Sequence, residues 1–211
     1  MTSNPSSEND PSGMTGIMLP PLMVGIPTCM KYCSHCGKTV VFRIPEGDNR
    51  ERFLCESCGT IHYQNPRIIT GCLAVWEDRV LLCKRAIQPR SGFWTLPAGF
   101  LENGETATAG AERETWEEVR AKVAKLELYT MFSLPHISQI YLFYRAQLID
   151  GIFAPGEETD AVSLFHEADI PWDKLAFPVI RDTLQHYFRD RANNEFRVHA
   201  ADIEISRDIR R

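Results

Sequence analysis

Two apolar runs, "PRIITGCLAVWE" and "RVLLCKRA", flank the dipeptide Glu77-Asp78. Both are rich in β-branched and other apolar residues, so the pattern predicts a hairpin of two largely buried strands. Further along, "VAKLELYTMFSL", "QIYLFYRAQLI" and "AVSLFHEADI" read as three more strands. Between these groups the period changes. From Thr106 to Val119 the chain reads as a helix, favoured by Ala107, Ala109 and Ala111. "PVIRDTLQHYFRDRA" reads as a second, amphipathic helix. The stretch "GFWTLPAGF" looks like a connection punctuated by Gly and Pro. Strands and helices mix without a regular βαβ alternation. The fold expected is therefore α+β, a layered sandwich around a mixed sheet. "TVVFRIP" and "RERFLCE" predict two short strands ahead of it. No internal repeat is visible. The expected division is a tail over 1–29, a small unit over 30–65, the main domain over 66–192 and a charge-mixed tail over 193–211.

Composition changes this picture little. The chain has 211 residues, is 44% hydrophobic and 24% charged, and carries a formal net charge of -5. That balance gives no support to a nucleic-acid or anionic-membrane partner, and no apolar run approaches the length of a membrane span. Residues 1–29 contain Glu8 and Asp10 but no Lys or Arg, so the basic start of a secretory leader is missing. They are expected to be disordered and functionally silent, with Met30 as an alternative start. The expected location is cytoplasmic, and a homodimer is left open.

Four of the seven cysteines form C-x2-C-x18-C-x2-C: Cys33, Cys36, Cys55 and Cys58. This spacing suits a zinc ribbon, each pair lying on a tight turn that directs two sulfurs at one ion. Gly37 and Gly59 follow the two pairs, where such turns need an unusual backbone. Four thiolates leave no open coordination position, so the Zn²⁺ would be structural. Disulfides and a redox pair are the alternatives. His35 and His62 are spare ligands for a shell that is already full. Cys29, Cys72 and Cys83 show no pairing pattern, and the last two lie in strand-like runs as small core residues.

The first helix poses a charge problem. Glu112, Glu114, Glu117 and Glu118 fall within seven residues, offset only by Arg113. Like charges at i,i+4 repel by roughly 0.2–0.5 kcal/mol per pair, so something outside the chain is expected to supply positive charge. Glu114, Glu117 and Glu118 share an arc of about 100° on one face, with Glu112 on the other side. Ala107, Gly110 and Ala111 lie in or beside that arc, so a large ligand was expected to find an open approach there. Oxygen ligands on one face suit Mg²⁺ or Mn²⁺, which bind carboxylates and substrate phosphates together.

Gly99, Glu105, Arg113, Glu114, Glu117 and Glu118 together resemble the Nudix box, G-x5-E-x7-R-E-U-x-E-E-x-G-U, with U a bulky aliphatic residue. The resemblance covers about Pro66 to Arg191 and matches every charged position of the box. It implies an α/β/α sandwich and hydrolysis of a pyrophosphate bond. It further implies that Glu114, Glu117 and Glu118 bind the catalytic metal, joined by the Gly99 carbonyl. Glu105 and Arg113 would be an internal pair tying loop to helix. Three positions depart from the box: Thr115 and Ala121 replace aliphatic residues, and Arg120 stands where Gly ends the helix. If that position has positive φ, Arg120 costs roughly 1 kcal/mol.

With the zinc ribbon, the chain resembles the branch of FAD and ADP-ribose pyrophosphatases, through "IHYQNPRIITGC", "WTLPAGFLENGET" and "LPHISQIYLFYRAQL". The branch of NADH pyrophosphatases and RNA-decapping enzymes has a downstream motif resembling S-Q-P-W-P-F-P-x-S, which is absent here. The resemblance also makes Glu158, in "PGEETDAV", a candidate base or metal contact, although Ala161 replaces a second acid and a solvated loop carboxylate is an equal reading. Trp94, Phe100, Phe132, His136 and Tyr141 could orient a base, but aromatics in strands are more often core. The expected partner is a small nucleotide, cleaved with Mg²⁺ or Mn²⁺. The rival class is a nucleotide-sensing or binding module whose ribbon meets nucleic acid or protein. From Lys31 to Arg67, six Lys and Arg against four Asp and Glu do not favour nucleic acid, and retention of every box carboxylate favours an enzyme.

Overall fold

The computed structural model describes residues 30–204. The expectations placed on residues 1–29, and on Cys29 with them, lie outside these. Three short strands come first among the described residues: β1 (Val41–Arg43), β2 (Arg52–Leu54) and β3 (Ile61–His62). They pair antiparallel in the order β1-β2-β3, with Phe42 opposite Phe53 and Phe53 opposite His62. The third strand had no signal in the sequence, because two residues show no alternation.

The main sheet is built on β4 (Arg67–Trp76) and β5 (Arg79–Arg85), joined by a tight turn with Glu77 at φ 56. It continues through β6 (Trp94–Thr95), β7 (Ala98–Phe100), β8 (Val123–Leu134), β9 (Gln139–Leu148) and β10 (Thr159–Phe165). The strand order is β10-β5-β4-β9-β8-β11, where β11 is His199–Asp202; β6 pairs with β5 and β7 with β4. β4 runs parallel to β9 and β8 parallel to β11, so the sheet is mixed as expected. The supposed connection "GFWTLPAGF" thus holds two of its strands. The segment after Asn193, which showed no element in sequence, supplies an edge strand.

Helix α1 (Ala107–Val119) covers one face and α2 (Pro178–Asn193) the other. The strands sort their side chains accordingly. Leu73, Val80 and Leu82 join Val179, Ile180, Leu184 and Phe188 of α2. Their neighbours Cys72, Ala74, Leu81 and Cys83 join Ala111 and Val119 of α1. Two buried faces explain why β4 and β5 read as continuous apolar runs. Burial pushes the Cys72 thiol up to about 12 and that of Cys83 well above its ordinary value, so both stay protonated core groups. No helix among the described residues is long and apolar enough to cross a membrane.

Candidate active site

α1 begins where Thr106, in extended conformation, accepts the Ala109 N–H on its hydroxyl, the expected N-cap arrangement. It ends at Arg120, whose φ of 49 and ψ of 26 are left-handed, with its N–H on the Trp116 carbonyl. The box position normally held by Gly therefore keeps its backbone shape here without Gly. The Arg120 guanidinium lies 5.8 Å from the Trp116 ring centre, a contact that helps offset the strain. Thr115 is buried and turns its hydroxyl onto the Ala111 carbonyl at 2.7 Å, so a polar residue fits a core position at little cost.

Arg113 is the hub of the acidic cluster. Its Nε and Nη2 grip the two oxygens of Glu105 at 3.1 and 2.8 Å. Nη2 also donates to the Phe100 carbonyl, while Nη1 donates to Glu114 at 2.8 Å and Glu117 at 3.0 Å. The bidentate pair joins the loop before α1 to its third turn, as the sequence implied. Glu105 further accepts the Glu102 N–H, and these bonds, led by Arg113, hold its carboxyl down at about 2. One guanidinium thus neutralises part of the cluster.

The three carboxylates of the predicted ligand set differ in surroundings. Glu117 is exposed. Glu114 is half-buried, and burial raises its pKa despite Arg113. Glu118 lies deepest: Oε2 accepts the Ala98 N–H at 3.2 Å and the Cys83 thiol at 3.5 Å. Burial lifts it to about 7 against those two bonds. Gly99 lies against this group, since a Cβ there would stand 2.3 Å from the Glu114 carboxylate. The backbone of β7 and the helix carboxylates therefore meet directly, and the donor set is all oxygen. By donor chemistry such a set fits a hard divalent cation, although its three carboxylates are not drawn together within 4.8 Å as the cysteine sulfurs are.

Gly110 and Ala111 do not form the open approach expected of them. A Cβ on Gly110 would meet Glu105, Leu101 and Thr70 at 2.8–2.9 Å, and Ala111 is fully buried. Their smallness instead lets α1 pack closely on β4, where Thr70 donates to the Ala107 carbonyl.

Glu158 sits in the loop before β10 and is exposed. How that loop is held is visible only in the fold. The Gly156 N–H donates to the Glu118 carbonyl and the Ala154 N–H to that of Val119, both at 2.9 Å. A Cβ on Gly156 would fall 1.9 Å from the Glu117 carbonyl oxygen. The loop bearing Glu158 is thereby clamped to the end of α1 that carries the glutamates. Of the aromatic candidates, Phe132 is buried and Trp94 and Tyr141 pack against the α2-side core. Phe100 is exposed beside the site, with Arg67 over its ring. His136 keeps a buried Nδ1 without a hydrogen-bond partner.

The second candidate metal centre is the cysteine set. The four sulfurs of Cys33, Cys36, Cys55 and Cys58 all lie within 4.8 Å of one another, the one such group of ligand atoms among the described residues. Cys33 and Cys58 are 3.7 Å apart and Cys36 and Cys55 3.5 Å. A disulfide needs ~2.05 Å, whereas a tetrahedron of Zn–S bonds has edges of about 3.8 Å. Gly37 and Gly59, at φ 72 and 71, return their N–H groups to Cys33 and Cys55. Two matching knuckles result, and the residues fit zinc.

Residues 65–187, more than half of the chain, match the family model described as NUDIX domain, and residues 31–64 match the zinc-ribbon model described as Nudix N-terminal. A NUDIX hydrolase from Nitrosomonas europaea of known structure is 52% identical, with a TM-score of 0.78 over 82% of this chain and 100% of that one. An ADP-ribose pyrophosphatase from Streptococcus suis, 20% identical, has a TM-score of 0.52 over 65% of this chain and 100% of its own, a likeness of fold alone. Among curated proteins, the NAD-capped RNA hydrolase NudC of Chromobacterium violaceum is 34% identical over 134 residues, 62% of this chain and 48% of the relative. The chain spans about half the length of the curated relatives it matches first.

Proposed function

The chain belongs to the Nudix family, and we propose that it hydrolyses the pyrophosphate bond joining a nucleoside 5′-phosphate to a second moiety, with FAD or ADP-ribose as substrates. The observation that carries this is the complete carboxylate set on α1, with Gly99 closed against Glu114. Glu114, Glu117 and Glu118, with the Gly99 carbonyl, would hold Mg²⁺ or Mn²⁺. When bound, such ions neutralise pyrophosphate charge and acidify water. Arg113 holds Glu114 and Glu117 in place from one side. Glu118 is positioned for the same role by the Ala98 N–H and the Cys83 thiol, both of which its Oε2 accepts. Glu158 is the candidate base, carried by the loop fixed to the helix end. The ribbon would hold one structural Zn²⁺. A small nucleotide is the partner proposed for the catalytic site.

A second reading takes NAD-type pyrophosphates, including an NAD end on RNA. The NudC relatives favour it by name, while "SLPHISQIYLFYRAQL" in place of their downstream motif favours FAD and ADP-ribose. FAD, ADP-ribose and NADH would all yield AMP and differ in the second product, whereas NAD-capped RNA would yield nicotinamide mononucleotide and an RNA with a 5′-monophosphate. The test is kcat/KM for FAD, ADP-ribose, NADH, NAD-capped RNA, ATP and dGTP, with products identified. FAD or ADP-ribose should lead. A higher value for NADH or NAD-capped RNA selects the second reading, and a lead for ATP or dGTP rejects both.

A further inference from the structure

The ribbon carries a feature that zinc binding does not explain. Its pairing places Phe42, Phe53 and His62 directly opposite one another across three strands, so these side chains form one row on one face. Glu51 and Gln64, two residues from Phe53 and His62, point to the same side. Together with Arg52 they line an open cleft of about 180 Å³. Phe53 is its buried floor, and Phe42, 48% exposed, stands over it with ring centres 4.8 Å apart. His62 lines the cleft with a buried Nε2 that has no hydrogen-bond partner. Glu51 adds an exposed carboxylate.

We propose that this cleft binds a nucleobase of a single-stranded nucleic acid. The size suits one planar base and excludes a helical duplex. The exposed Phe42 ring offers a stacking face, and every base has a π-face to place on it. The exposed Glu51 carboxylate, and His62 Nε2 once the ring turns toward the cleft, supply the edge contacts that turn stacking into base binding. A buried ring nitrogen without a partner is an incomplete site, because burial leaves its hydrogen bond unmade until a ligand supplies one. Positive charge stands at the cleft itself: Arg52 lines it, paired with Asp48, and Arg50, next to Glu51 in the chain, makes no ion pair among the described residues. The overall charge balance of the ribbon does not point to this; the arrangement of side chains does. The inference is independent of the substrate cleaved at α1.

The experiment uses the full, zinc-loaded chain and a short fluorescein-labelled oligoadenylate RNA, read by anisotropy at low salt. Binding should be measurable and should weaken about tenfold in Phe42→Ala, the loss of one base–aromatic stack. His62→Ala should weaken it as well. Zinc content and turnover of ADP-ribose should be unchanged in both variants, which separates this cleft from the catalytic site. An abasic oligomer of the same charge should compete poorly. Absence of binding, equal binding by Phe42→Ala, or equal competition by the abasic strand would overturn the proposal. AMP binding as tightly as the oligomer, with the same dependence on Phe42, would overturn the assignment to a strand and leave a free nucleotide as the ligand.

Discussion

Glu118 shows at one residue how stability is traded against chemistry. Its carboxyl stands at about 7 instead of the ordinary 4.5 because burial disfavours its charge. A group whose folded pKa is raised binds its proton more tightly when folded. Its stabilising effect is therefore complete below pH 4.5 and is lost as pH rises through 7. The displacement corresponds to on the order of 3 kcal/mol at pH 8. Glu118→Gln should thus lower kcat by orders of magnitude and raise the melting temperature at pH 8 without added Mg²⁺. The stability gain should shrink toward pH 5. A variant that melts no higher than the parent at pH 8 would show that Glu118 is solvated in the absence of the cation. Gly99 is a second test at this scale. Ala there would push its Cβ into the Glu114 carboxylate at 2.3 Å. Gly99→Ala should lose at least tenfold in kcat with far-UV circular dichroism unchanged, and near-normal turnover would remove the Gly99–Glu114 contact from the site.

At the scale of elements, legibility follows the range of the interaction. The first helix and the hairpin around Glu77-Asp78 were readable because their partners are close in sequence and their patterns periodic, and the Glu105–Arg113 pair came from the resemblance to the Nudix box. The strands β3, β6, β7 and β11 were not, because two to four residues carry no period and exist only through pairing with distant strands. The same holds for Cys83, which touches Glu118 across 35 positions, and for the loop clamped by Gly156. The edge strand β11 is held by a network equally invisible in sequence. Asp190 of α2, buried, accepts from Tyr129 of β8 at 2.9 Å and pairs with His199 of β11 at 2.7 Å. Burial raises the Asp190 pKa, but these two partners more than offset that and hold it below 3.8. Stability from such a group is present above its ordinary value and is lost as pH falls through the folded one. Asp190→Ala should cost roughly 2–4 kcal/mol by denaturant unfolding, since it leaves the buried Tyr129 hydroxyl and the half-buried His199 without their partner. It should also raise amide exchange of Ala200 and Ala201. Protection equal to the parent's would mean that backbone pairing alone secures β11.

For the whole molecule, the question is whether ribbon and sandwich stand or fall together. Both hydrophobic cores of the sandwich are made of residues from Cys72 onward and include none from the ribbon. Among its described residues the ribbon buries Cys33, Pro45, Phe53 and Cys55. Three strands of two or three residues cannot offset the conformational entropy of ordering this segment by so small a core. A structural Zn²⁺, with ~10–16 kcal/mol of apparent binding free energy in comparable small sites, is large enough to do so. Metal analysis of protein purified without chelator should therefore find one zinc per chain, and Cys55→Ser should lose it. In that variant the amides of Gly37 and Gly59 should exchange freely, while those of Phe143 and Leu184 stay protected. Turnover of ADP-ribose with Mg²⁺ should persist, because every carboxylate of the proposed site belongs to the sandwich. Loss of protection at Phe143 and Leu184 together with the zinc would show instead that the ribbon is part of one cooperative unit, and that its metal supports the catalytic carboxylates from a distance.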